Sequence, residues 1–135
     1  KEKIMQYAKK QHVENIQFIG NTKLDNYYKK AEILCMTSSF EGFGLVLTEA
    51  LQNGIIPIAF DSYNAVRDII DDGLTGMLIK PFSIESYAKH LSILMSDTSL
   101  RDTMRENIRN KDLSSFSEEN VYNKWIILFN QLYRT

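Results

Sequence analysis

Two carboxylates stand out in the stretch SSFEGFGLVLTEALQNG, residues 38–54. Glu41 directly precedes Gly42-Phe43-Gly44. Glu49 follows after seven intervening residues, set among Leu45, Val46, Leu47, Ala50 and Leu51. An ionised carboxylate only accepts hydrogen bonds, and among apolar neighbours it needs donors. Sugar hydroxyls donate, and a ribose diol supplies two. The glycines suit a second chemistry. They let the backbone approach a ligand closely and take positive φ where needed. The helix expected to follow offers unpaired N–H groups and a partial positive charge of roughly half a unit at its start. That is a site for a phosphate. Glu41 would repel a phosphate, so its better partner is a neutral polyol. Polyol and phosphate together point to a sugar nucleotide against the start of the helix. A plain reading stays open on spacing alone: Glu49 on a solvated stripe, Glu41 as a loop charge, the glycines as a turn.

Other residue types offer less. The single cysteine, Cys35, lies between Leu34 and Met36 in a run that reads as a buried strand, so a core thiol is expected. It can build neither a disulfide framework nor a zinc cluster. His12 and His90 share no motif and are expected to be structural, one near a helix end and one on a helix face. Asp71-Asp72 precedes Gly73 and reads as turn chemistry rather than a metal site. Lys9-Lys10 and Lys29-Lys30 read as solvated helix faces.

The elements that must position the carboxylates follow from periodicity. Ile4, Met5 and Ala8 mark one face of a first helix ending near His12. Ile16 to Ile19 predicts a short strand stopped by Gly20. TKLDNYYKKA predicts a helix with Leu24, Tyr27 and Tyr28 inward. EILCMTS predicts a strand buried on both faces. The carboxylate helix should run from about Gly44 to Asn53, with Gly54 as its cap. IIPIAF is the next buried strand, with Pro57 near its start or at an irregular spot. A short helix AVRDIID, the turn DDG and a strand TGMLIK come next. After Pro81 three helices are expected, SIESYAKHLSILMSD, SLRDTMRENIRN and SEENVYNKWIILFNQLYR. Ser115 or Ser117 should cap the last, with Glu118 and Glu119 in its first turn. Strands alternating with helices, then helices alone, predict the α/β class: a Rossmann-like parallel sheet flanked by helices, ending in several helices. In such sheets ligands bind at the carboxyl ends of the strands, where Thr37 to Gly44 lies.

The bulk numbers exclude some functions. The chain has 135 residues, 44% apolar and 24% charged, enough for one domain with a core. Sixteen Lys and Arg against seventeen Asp and Glu leave a net charge of −1. That gives no long-range attraction for nucleic acid, so none is expected as a partner. No apolar run approaches the ~18 residues of a membrane span. The opening KEKIMQYAKK lacks an initiator Met and an apolar leader and starts inside a predicted helix, which predicts a piece of a longer protein.

SSFEGFGLVLTEALQNGIIPIA resembles the donor-binding segment of the retaining GT-B glycosyltransferases of family 4, in which two Glu residues are separated by seven others. Glu41, Gly42, Phe43, Gly44, Leu45, Glu49, Ala50, Gly54, Pro57 and Ala59 match that segment. VENIQFIGNT, DIIDDGLTGMLIKPFS and FSEENVYNKWIILF are similar to the segments before and after it, so the resemblance covers nearly the whole chain. It implies that residues 1–135 are part of a C-terminal nucleotide-sugar-binding domain, the C-terminal half of a GT-B fold, with the N-terminal acceptor domain absent. It implies a catalytic contact from Glu41 to the donor sugar, and Glu49 on the ribose hydroxyls. Backbone N–H groups around Gly42, Phe43, Gly44 and Leu45 would bind the diphosphate, and the loop near Asn21 and Thr22 would border the base. The implied reaction moves a sugar from a nucleotide diphosphate with retention, without metal or other cofactor. Partners would be the nucleotide-sugar donor and, through the missing domain, a glycan or lipid-linked acceptor. The implied setting is surface or capsular polysaccharide or glycolipid synthesis in the cytoplasm, or peripherally at the inner face of the membrane. The family's Arg and Lys that clamp the diphosphate fall before Lys1, so the chain alone is expected to be inactive. FDSYNAVRDII replaces a glycine-rich turn found in many relatives, and Asn64 is expected to keep that turn by taking left-handed geometry. Rival expectations are a non-catalytic partner-binding module, suggested by the apolar stripe of Trp125, Ile126, Leu128, Phe129 and Leu132, and a GT-B sugar-nucleotide epimerase.

Overall fold

Ile56–Phe60 form a strand buried at every position, the outcome that an uninterrupted apolar run predicts. The computed structural model describes residues 2–133. Its elements are α1 (Glu2–Lys10), α2 (Asp25–Tyr28), β1 (Ile33–Met36), α3 (Leu45–Gln52), β2 (Ile56–Phe60), α4 (Ala65–Ile69), β3 (Met77–Ile79), α5 (Ile84–Ser96), α6 (Thr98–Asn110), a 3-10 turn at Ser114–Phe116 and α7 (Glu118–Leu132). The sheet is parallel, in the order β1-β2-β3. Cys35 stands beside Ile58, and Ile58 beside Met77. Pro57 is the second residue of β2, as its missing donor requires.

The helices cover the sheet through apolar side chains. Leu47 and Leu51 of α3, Val66 and Ile69 of α4, Leu94 of α5, and Met104 and Ile108 of α6 join Ile56 and Ile58 in one core. Each such side chain contributes about 1.5–3 kcal/mol by leaving water. Tyr87 of α5 reaches into this core, where its hydroxyl donates to the Ile58 carbonyl at 2.8 Å and its ring meets Phe60 with centroids 5.0 Å apart. Burial and the neighbouring Cys35 push the Tyr87 pKa up, so its hydroxyl stays a donor. On the outer edge of β3, Asp72 Oδ1 accepts the Leu78 N–H at 2.9 Å and so blunts an exposed strand edge.

Helix ends follow their local signals. Gly54 has φ +70, its N–H donates to Leu51 O at 3.0 Å, and the Ile55 N–H donates to Ala50 O at 2.9 Å. This pair of bonds is a Schellman cap, and it ends α3 where expected. Ser117 caps α7 by accepting the Asn120 N–H at 3.2 Å. Asp71 and Asp72 hold a turn: the Asp71 N–H donates to Thr75 Oγ1, and the Asp71 carboxylate pairs with Lys111 at 2.6 Å.

Several expectations are corrected. Residues 16–19 join no ladder among the described residues; an apolar run becomes a strand only where its backbone is paired, and the sheet here is built from β1, β2 and β3. The helix expected in TKLDNYYKKA is a single turn, with Leu24 and Tyr27 exposed and Tyr28 half-buried. β1 is an edge strand, so only Met36 is fully buried, and Cys35 is exposed in a groove with Ile33, Leu91, Met95 and Arg101. The Cys35 thiol pKa is pushed up by partial burial, opposite to what a nucleophile needs. Asn64 is right-handed, φ −61, because it stands at the start of α4. His12 follows α1 at φ +54, near a helix end, and His90 lies on α5, where its Nδ1 donates to Ser86 O at 2.7 Å, the two places expected of them.

Candidate functional site

The carboxyl end of β1 runs into the loop of residues 37–44, and the carboxyl end of β2 runs into residues 61–64. Ser62 Oγ donates to Ser38 O at 3.2 Å and ties the two loops together. Both lie at the edge of the sheet where parallel folds bind ligands. Gly44 precedes α3 in left-handed geometry, φ +91, and turns the chain into the helix. A Cβ there would meet the Tyr63 hydroxyl. Gly42 needs no special φ, and the space where its Cβ would stand is open. By helix geometry the N–H groups of Leu45 and Val46 have no carbonyl four residues back, so they point out of the tip of α3.

The faces of α3 differ. Leu47, Thr48, Ala50 and Leu51 are buried, whereas Leu45 and Glu49, four residues apart, share an exposed face. Glu49 is therefore one turn from the tip on its open side, not enclosed by the apolar residues around it in sequence. It lines a cleft of about 440 Å³ with Lys23, Leu24, Asp25, Tyr28 and Asn53. Tyr28 Oη donates to Glu49 Oε2 at 2.7 Å. Burial first, then this hydrogen bond, then the Glu49 charge push the Tyr28 pKa up to about 12. Asn53 donates to the Glu49 carbonyl at 2.8 Å.

Glu41 is half-buried in the loop before the tip and does not line the Glu49 cleft. Its charge acts on Tyr63, whose pKa is raised first by burial and then by Glu41. The Tyr63 hydroxyl is buried and has no hydrogen-bond partner among the described residues. Phe43 packs on Phe116, ring centroids 5.6 Å apart, which anchors the loop between Gly42 and Gly44. Asn21 and Thr22 are exposed in the loop that leads into Lys23 and α2, next to the cleft but not lining it. The structure thus gathers Gly42, Phe43, Gly44, Leu45 and Glu49 at one helix tip, with Glu41 just before it. Tyr28, Lys23 and Tyr63 were not singled out by sequence. The signal for Tyr28 was a tyrosine pair beside the helix-forming segment before β1, which periodicity alone assigned to the core.

Residues 1–111 match the family described as Glycosyl transferases group 1. The chain is 32% identical over 130 residues to the poly(glycerol-phosphate) alpha-glucosyltransferase of Bacillus subtilis, covering 91% of this chain and 19% of that enzyme. It superposes on a point mutant of S. aureus TarM, solved in complex with Fondaparinux, alpha-GlcNAc-glycerol and UDP, with a TM-score of 0.88 and 27% identity, covering 96% of this chain and 27% of that one. It also superposes on the C-terminal domain of the group 1 glycosyl transferase LpcC from Francisella tularensis, with a TM-score of 0.69 and 29% identity, covering 81% of this chain and 58% of that one. The parallel sheet flanked by helices is that of the C-terminal domain of GT-B glycosyltransferases. The chain spans less than two thirds of the length of each of these relatives.

Proposed function

The chain belongs to the glycosyl transferases group 1 family, and from that premise we propose that it binds a nucleotide-diphosphate sugar as the donor half of a retaining family 4 glycosyltransferase. The observation that carries this reading is the place of Glu49: an exposed acceptor on a cleft, one turn inside a helix whose tip offers free N–H groups. The diphosphate lies against the N–H groups of residues 43–45, and Glu49 accepts from the ribose hydroxyls. Glu41 faces the sugar, and Asn21 and Thr22 border the base. The leaving diphosphate gains charge as the glycosidic bond breaks, and the polarised tip stabilises it, the kind of electrostatic assistance that contributes most in many enzymes. No metal is assigned a role. The whole protein, on this reading, transfers the sugar to a glycan or lipid-linked acceptor held by a further domain, in cell-surface polymer synthesis in the cytoplasm or at the inner membrane face. The names of its relatives, a poly(glycerol-phosphate) alpha-glucosyltransferase and a lipopolysaccharide 1,6-galactosyltransferase, support the cell-surface polymer part of this reading.

The test is an NMR titration of the chain with UDP and GDP. Amide shifts should concentrate between Gly42 and Glu49, and Glu49→Gln should weaken binding about tenfold without disturbing the fold, the loss expected for a hydrogen bond to a charged group. Shifts confined elsewhere, or none at millimolar nucleotide, overturn the reading. In the complete enzyme Glu41→Gln should cut turnover at least a hundredfold, with a smaller effect on nucleotide affinity; unchanged turnover removes its role.

A further inference from the structure

Glu49 is already engaged on one side. Its Oε2 accepts from the Tyr28 hydroxyl at 2.7 Å, across 21 residues of sequence. Tyr28 sits in the single turn of α2, which follows the loop of Asn21 and Thr22. Its ring is half-buried, and both side chains line the same cleft. A long side chain on an exposed helix face has several rotamers of similar energy, and ordering it for a ligand costs entropy. A tether from a second element removes that freedom before the ligand arrives.

The bond also selects which atoms are left. A carboxylate has two acceptor oxygens, and a phenol that donates its only proton keeps lone pairs to accept. With Oε2 taken, Glu49 presents Oε1, and Tyr28 presents its phenolic oxygen beside it. Two adjacent acceptors match two adjacent hydroxyl donors. We propose that Tyr28 is a positioning residue of the donor site, fixing Glu49 so that the pair receives the vicinal 2′,3′-diol of the nucleotide ribose. This rests on the reading of Glu49 as the ribose acceptor and adds to it the residue that sets its geometry and its selectivity for a cis-diol. Lys23, in the same cleft, has no ion pair among the described residues. Asp25 shares the cleft and adds a second negative charge, which favours hydroxyl donors over a further anion at this point.

The experiment compares UDP with 2′,3′-dideoxy-UDP on the 135-residue chain, by amide-shift titration, for the unmodified chain, Tyr28→Phe, Glu49→Gln and the double variant. The unmodified chain should prefer UDP by about tenfold or more. Tyr28→Phe, which keeps the packed ring, should weaken UDP about tenfold and leave dideoxy-UDP unchanged, so the preference collapses. The double variant should be no worse than Glu49→Gln alone, because the two side chains act as one unit. Equal weakening of both nucleotides by Tyr28→Phe would mark a merely structural residue and overturn the proposal. So would an unchanged UDP affinity in Tyr28→Phe alongside a loss in Glu49→Gln, and in that case the reading of Glu49 survives. Failure of UDP to bind the unmodified chain, or no preference over dideoxy-UDP, removes the ribose role of Glu49 and Tyr28 together. Retained amide dispersion in each variant confirms that the fold is intact.

Discussion

At the scale of single residues, two tyrosines take parts that no spacing rule announced, and each can be tested apart from ligand binding. Tyr63 rests against Gly44, and its hydroxyl has no hydrogen-bond partner among the described residues. Gly44→Ala should destabilise the domain by about 2 kcal/mol or more in urea unfolding, because positive φ alone costs about 1–2 kcal/mol in a residue with a Cβ and the new methyl also meets the hydroxyl. Placed in a Tyr63→Phe background the same change should cost less, since only the backbone strain remains; an identical cost in both backgrounds would mean that the hydroxyl is not the obstacle. Tyr28 gives a pH signature. Its folded pKa of about 12 lies above the ordinary tyrosine value of about 10. The folded state therefore holds this proton more tightly than the unfolded chain does. The stability it contributes is complete below pH about 10 and is lost as pH rises through about 12. Thermal midpoints measured across that window should fall less steeply in Tyr28→Phe than in the unmodified chain. The two glutamates could be singled out at this scale because their types and spacing are themselves the signal, and the structure adds their places, Glu49 on a cleft and Glu41 outside it. Their tyrosine neighbours could not, because a contact such as Tyr28 to Glu49, across 21 residues, is set by how the chain folds back between them, and no local pattern encodes it.

At the scale of elements, the legible parts were those whose determinants are local. β2 followed from an unbroken apolar run, the end of α3 from Gly54, and the start of α7 from Ser117 with two acidic residues behind it. Residues 16–19 show the opposite case. Their composition favours a strand, but a strand also needs its backbone paired in register with a neighbour, and that pairing is set by tertiary context rather than by composition. The same logic explains β1, whose apolar composition predicts burial on two faces and whose edge position leaves Cys35 exposed. Element boundaries also carry a prediction. α7 has no buried residue among those described, and its main neighbour is the 3-10 turn before it, so it should unfold separately from the core. Ser117→Ala removes the Asn120 cap, a change that costs a helix about 1 kcal/mol. The expected result is faster amide exchange along α7 with an unchanged urea midpoint for the core amides. A matching fall in the core midpoint would show that α7 is part of the same cooperative unit. Asp97 caps α6 by accepting the Leu100 N–H at 2.9 Å, and there the outcome reverses: α6 carries Met104 and Ile108 into the core, so Asp97→Ala should lower global stability by about 1 kcal/mol.

At the scale of the whole molecule, the surface of α7 stands out. Trp125, Ile127 and Phe129 are 54%, 57% and 47% exposed, with Ile126 and Leu128 also open to solvent. Trp125 and Phe129 stack on each other, ring centroids 5.6 Å apart, one turn apart on the helix. Neighbouring exposed apolar side chains of this kind mark interaction surfaces, whereas single scattered ones do not. The net charge of −1 supplies almost no repulsion to keep copies apart. The chain alone should therefore self-associate through α7, with a light-scattering mass that rises with concentration. Trp125→Ser combined with Phe129→Ser should return it to a monomer. That variant also separates the two functional readings at this scale. If the domain serves nucleotide binding, the monomeric variant should bind UDP as the unmodified chain does, because residues 43–49 and the Glu49 cleft contain no α7 residue. If the chain is instead a module that works by gripping a partner through its last helix, the unmodified chain should give a stable complex that no nucleotide perturbs, and the double substitution should abolish the only interaction it makes. A monomeric mass at all concentrations for the unmodified chain would remove the premise of both arguments about α7 and leave the tip of α3 as the surface to pursue.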